Sequence, residues 1–178
     1  DETQLERQGI KYDAGAPVTA AVSVGTGVAA SFGDGVVRFF NPGEPPIAIE
    51  AHRGAVLCVA AEGVSDSVLT GGDDGRFLRV SPDGSIKEIA TFGTRWVDCV
   101  AAASGHYACS SGSVALVWRV DDTEAETFEH PSTVGGLAFD AKARRLAVAH
   151  YGGAVVRERG KRYWKTSKFV WHSSHGAV

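Results

Sequence analysis

His172 and His175 stand at H-x2-H spacing in HSSH, which by residue type is half of a metal site. No cysteine or carboxylate pair lies near them in sequence, so a four-ligand set is not assembled and no metal is expected. The GGDDG segment (71–75) offers Asp73 and Asp74 as oxygen ligands. A calcium cage needs more oxygens than one turn supplies, and a tight turn accounts for the same residues. GTG at 25–27 lacks the further glycines and the following helix of a phosphate loop, so no nucleotide and no other cofactor is expected. The densest chemistry lies in RERGKRYWKTSKFVW (157–171), where Arg157, Arg159, Lys161, Arg162, Lys165 and Lys168 interleave with Tyr163, Trp164, Phe169 and Trp171. Basic plus aromatic is the composition of a nucleic-acid surface. Long basic side chains lying over a solvated strand edge explain it as well, and are the preferred reading. Attraction to an acidic neighbour is a third.

Charge is partitioned along the chain. Residues 1–140 hold nine Lys/Arg against twenty Asp/Glu, a net of −11, and residues 141–178 hold nine against one, a net of +8. The uncharged stretch from Ala14 to Gly33 contains Pro17, several glycines and no Leu or Ile, which makes it a poor membrane span and a better pair of strands. The acidic DETQLERQ start is unlike a signal peptide, and no methionine is present, so an excised or processed chain is expected.

The elements that position these residues come from an internal repeat. SFGDGVVRFFN (31–41), GGDDGRFLRVS (71–81), SSGSVALVWR (110–119) and AHYGGAVVRE (149–158) align, each preceded by a small-residue apolar strand. The valines Val18, Val56, Val97 and Val134 give periods of 38, 41 and 37 residues, which is propeller-blade spacing. Each repeat reads as four strands, A to D; in the second these are 55–61, 67–70, 77–80 and 86–91, with SPDG (81–84) as the C–D turn. No window has the period of an amphipathic helix. An all-β chain of antiparallel four-stranded blades follows, with blades at 16–50, 51–92, 93–129 and 130–171 and inner strands near 18–24, 55–61, 96–102 and 133–139. QGIKYD (8–13) is expected to be an outer strand closing a neighbouring blade, or else residues 1–15 are a tail. WHSSHGAV (171–178) repeats HRGAV (52–56), so 172–178 reads as the start of a fifth blade. An incomplete ring exposes an edge, so a longer natural chain or a second copy is expected to complete it. Cys58 and Cys99 occupy the same place in two repeats and, with Cys109, form no CxxC. They read as small core fillers of a reduced, cytoplasmic protein.

DGVVRFFN (34–41) resembles the blade-closing pattern of the WD40-repeat β-propeller family. LVWR (116–119) keeps the Trp with Arg119 in place of Asp, and GGDDGRFLRVS keeps Asp74, with Val80 and Ser81 at the WD positions. The fourth repeat is weakest, with Tyr151 at the Asp position and Arg157-Glu158 at the WD positions. The family's blade-opening His is matched by His52 and His130. The resemblance implies that His52 reaches Asp74 in the B–C turn, with Thr70 nearby, as a structural brace. Those types in that order also fit a hydrolytic His–Asp pair beside a hydroxyl, but no nucleophile elbow accompanies them.

Trp96 and Asp98, two apart at the start of an inner strand, should point the same way. The resemblance places such positions on the top face near the channel, beside Asp73 and His150. Asp73, Arg95, Trp96, Asp98 and His150 are therefore the candidate protein-binding group. A packing Trp with a salt-bridged neighbour is the plain alternative. The function expected is a non-enzymatic scaffold for a protein or peptide. Nucleic-acid or polyanion binding through the fourth blade is the alternative, and a propeller enzyme a more distant one, because the inward strands offer mostly Ala, Val, Gly and Cys.

Overall fold

In the computed structural model, which describes residues 3–160 and 164–170, the repeat becomes four antiparallel sheets of four strands each. The first blade is β1 (Val18–Val24), β2 (Gly27–Phe32), β3 (Val36–Phe40) and β4 (Ile47–Glu50). The second is β5 (Val56–Ala61), β6 (Val68–Gly72), β7 (Arg76–Val80) and β8 (Ile86–Thr91). The third is β9 (Cys99–Ala103), β10 (His106–Ser111), β11 (Val114–Arg119) and β12 (Glu126–Glu129). The fourth is β13 (Val134–Phe139), β14 (Arg145–His150), β15 (Gly153–Arg159) and β16 (Trp164–Val170). Within every sheet the strands lie in chain order, and successive blades meet through their first strands, β1 on β5, β5 on β9 and β9 on β13. This is the all-β, open series of propeller blades that the repeat predicts. Among the described residues the helix is one short piece, α1 (Gln4–Gln8).

The core is distributed over three seams. Val24, Val37 and Phe39 meet Val56, Val68 and Leu78 in the first; Leu69 and Phe77 meet Tyr107, Cys109 and Trp118 in the second; Ala108 and Val117 meet Leu146 and Val148 in the third. Each such side chain contributes roughly 1.5–3 kcal/mol by leaving water. The seams are stitched by the B–C turns. Gly35 and Gly75 sit at positive φ (85° and 75°), and a Cβ at either would strike the carbonyl of the incoming connection, His52 or Gly93. The Gly35 carbonyl accepts from Ala51 and His52 N–H at 3.1 and 3.0 Å, and Gly75 from Phe92 at 2.8 Å.

Two expectations need correction. The third inner strand begins at Cys99, not at 96. Val97 N–H donates instead to Gly72 of the preceding blade at 3.0 Å, which lifts Trp96 and Val97 out of the ladder. The other three inner strands show the same break as register shifts after Val18, Val56 and Val134. Residues 8–13 form no outer strand. Gln8 ends α1, Asp13 turns the chain by accepting from Gly15 N–H at 2.9 Å, and Tyr12 packs edge-on against Phe40 at 5.5 Å. The expected fifth-blade start and the HSSH pair lie outside the described residues.

Candidate functional site

His52 is buried before β5, with both ring nitrogens engaged. Nδ1 meets Asp74 Oδ1 at 2.9 Å and Nε2 meets Thr70 Oγ1 at 2.9 Å. Asp74 also accepts from the backbone N–H of Arg53 (3.0 Å) and Arg76 (3.1 Å), so one carboxylate ties the blade entry to the B–C turn. Burial lowers the His52 pKa although Asp74 works against it, and Asp74 is held low by its bonds from His52 and the backbone, over the opposing effect of burial. Thr70 is 0 % exposed, so its hydroxyl is shut off from solvent within this hydrogen-bonded set. His52→Ala or Asp74→Ala should lower stability by about 1–3 kcal/mol, the cost of an unpaired buried partner. Chemical denaturation checks this; an unchanged midpoint would refute the bracing role.

The other blades do not repeat the brace. Strand register puts Ala30, Cys109 and Val148 where the second blade has Thr70, and Ala14, Gly93 and His130 stand where it has His52. In the first blade Asp34 takes Arg38 instead, at 2.8 and 3.3 Å. In the fourth, the turn is Tyr151-Gly152, one residue shorter than Asp73-Asp74-Gly75 and without a carboxylate, so Tyr151 does not do the work of the Asp. Both ring nitrogens of buried His130 lack a partner.

The rim group divides. Trp96 is 59 % exposed, while its neighbour Val97 is fully buried and anchors it. Asp98 N–H donates to Ser110 at 3.3 Å, and partial burial raises its carboxyl pKa. Arg95 is exposed beside Trp96, and Asp73, its N–H on Ala55, lies on the adjacent turn that receives Val97. His150 turns inward: its Nδ1 accepts from Gly152 N–H at 3.2 Å and meets Ser132 Oγ at 3.1 Å, and its ring lies 5.9 Å from His130. Tyr151, next to it, is the residue presented, 90 % exposed.

Sequence reasoning missed a buried network at the opposite end of the strands. Glu62, 2 % exposed, takes Arg79 Nε at 2.7 Å and Nη2 at 3.0 Å, and accepts from Ser65 and, across the seam, from Tyr107 OH. Glu62, Arg79 and Tyr107 line a cleft of about 410 Å³ together with Ile89, Trp118 and Val120. No repeat carried this signal, because Glu62 and Arg79 belong to one blade only. The three cysteines are free, and burial pushes the Cys58 thiol up to about 12, so it reads as packing and not as a nucleophile.

No protein-family model and no curated protein matches this chain. A chain in a solved structure titled "Crystal Structure of Mitotic Checkpoint Complex" is similar in fold, with a TM-score of 0.72 at 15% identity over 88% of this chain. This chain spans about half of that one, 54% of its length. At that identity the likeness speaks to architecture alone, and the architecture is that of successive β-propeller blades.

Proposed function

We propose that this chain is a non-enzymatic scaffold that engages a protein or peptide through the rim formed by Asp73, Arg95, Trp96 and Asp98, with Tyr151 presented where His150 was expected. The observation that carries this reading is Trp96, an exposed indole on a connection fixed from beneath by fully buried Val97. A rigid aromatic anchor beside charged groups has the make-up of a binding hot spot. That the similar chain belongs to a multiprotein complex agrees with protein partners. Peptides selected by display against the unmodified chain should bind Trp96→Ala more weakly by more than about 1 kcal/mol, with smaller losses for Lys165→Glu and Lys168→Glu. The reverse ranking, with a steep salt dependence, would move the site to the fourth blade and favour a polyanion. Exposed Lys165, Lys168 and Phe169 on β16 support that second reading.

The open ends bear on partners as well. Ala147 and Ala149 on β14 are exposed, whereas Leu69 and Gly71 at the same positions of the second blade are buried. A further blade, from the same polypeptide or a second copy, would cover them. Among the described residues no helix is long and apolar enough to cross a membrane. Free thiols support a reducing compartment such as the cytoplasm.

A further inference from the structure

The three seams differ in how their polar groups are paired. The first sets His52 against Asp74, and the second sets Arg79 and Tyr107 against Glu62. The third sets histidines against arginines. At one end His130 is 8 % exposed with neither ring nitrogen bonded, its ring beside His150, and Arg157 Nε is buried and unbonded in the same seam. At the other end His106 gives its Nδ1–H to the Ser104 carbonyl at 3.0 Å, and its Nε2 accepts from Arg159. We infer that the seam between the third and fourth blades is an acid-opened joint, which releases the fourth blade when its histidines take up protons.

The charged groups on every element around these histidines favour this outcome. On β15, Arg157 lies over the Phe128 ring at 4.1 Å and Arg159 holds His106; on β11, Arg119 adds positive charge near His106. The carboxylates on β12, Glu126 and Glu129, are exposed, and Glu126 is engaged by the Trp164 indole of β16. Asp140 is occupied by the N–H groups of Arg144 and Arg145, and Glu158 pairs with Arg145 at 3.5 Å. A proton on His130 therefore creates a cation facing Arg157 and His150, and a proton on His106 removes the acceptor for Arg159. A proton on His52 is also opposed by burial, but there Asp74 offsets part of the cost, whereas no carboxylate answers His130 or His106.

Burial holds the His130 pKa below the ordinary value, with Arg157 and His150 adding to it and the backbone of Ser113 and Phe128 opposing it. Burial does the same for His106, helped by Arg159 and Arg119 and opposed by the Ser104 carbonyl. The unfolded or detached state thus binds protons first. Seam stability is complete above about pH 6.5 and declines as pH falls from there towards the folded-state values. Opening would bare Phe128, Leu146 and Val148, an apolar face that the closed seam covers.

Hydrogen exchange at pH 7.5 and 5.0, corrected for intrinsic rates, tests the joint. Protection of β13–β15 should fall at acid pH about tenfold more than that of β6 and β7, because the histidines of that seam gain protons with no carboxylate to answer them. His130→Phe should shrink that difference. So should Gly152→Asp, where a Cβ meets only His150 at 3.7 Å and would set a carboxylate beside the pair. Should His130→Phe not fold, Gly152→Asp and the imidazole titration by NMR decide. Equal loss of protection in all four blades, an acid effect unchanged in Gly152→Asp, or a His130 that titrates at or above the ordinary value would each overturn the inference.

Discussion

Glu62→Ala should lower the unfolding free energy by about 3–5 kcal/mol, because it strands a partly buried guanidinium and a buried phenol at once. Glu62 is 2 % exposed and serves Arg79, Ser65 and, across the seam, Tyr107. Burial alone would raise its pKa, but the bonds from Arg79, Ser65 and Tyr107 overrule it and hold the carboxyl down to about 2. Its contribution is therefore complete above the ordinary Glu value of 4.5 and is lost as pH falls towards about 2. Urea titrations at pH 7 and pH 3 should show the mutant and parent curves far apart at the first pH and converging at the second. A mutant within about 1 kcal/mol of the parent at neutral pH would mean that the network is an incidental surface feature.

Phe77→Ala should cost a similar amount, about 3–5 kcal/mol, through a different cause. Phe77 is fully buried on β7, with its ring 5.5 Å from Trp118 of the next blade and tilted by 40°. Removing it empties the centre of the second seam, and little nearby can refill it, since Leu69, Val97 and Cys109 are already buried around it. Near-UV circular dichroism should lose the Trp118 signal before the far-UV strand signal changes. If the midpoint moves by less than about 1 kcal/mol, the seam repacks more freely than its burial implies.

The blades were legible in the sequence because alternation and turn chemistry are local. Asp-Gly turns at 34–35 and 74–75 and the small-residue inner strands announced themselves every 37 to 41 residues. The meeting of His52, Thr70 and Asp74 was legible because one blade contains all three. What crosses a seam was not. Glu62 finds Tyr107 forty-five positions away, and nothing in either residue's own repeat marks the pairing. His150 misled because it was read as a B–C turn residue like Asp73, whereas strand register makes it the equivalent of buried Gly72, the last residue of its strand. Only the shorter Tyr151-Gly152 turn, which draws its ring inward through the Gly152 N–H, shows the difference. Trp96 was read as the start of the third inner strand and instead sits on the connection before it, since a bond from Val97 to the preceding blade is invisible in a linear pattern.

A chain of near-copies risks assembling in the wrong order, and the unlike seams bear on that risk. If the fourth blade docked directly on the second, strand register would bring Leu146 to the place of Tyr107 and Arg157 to the place of Trp118. Glu62 would then lose its phenol, and a guanidinium would be driven against Phe77. Such a misassembled chain keeps every hydrogen-bonded ladder yet deprives a buried carboxylate of one partner and sets a guanidinium against a buried ring, a cost of about 1–3 kcal/mol for the lost bond alone. The seam chemistry thus acts as an address for each blade, biasing a growing polypeptide against skipped or swapped neighbours where the repeats themselves are too alike to tell apart.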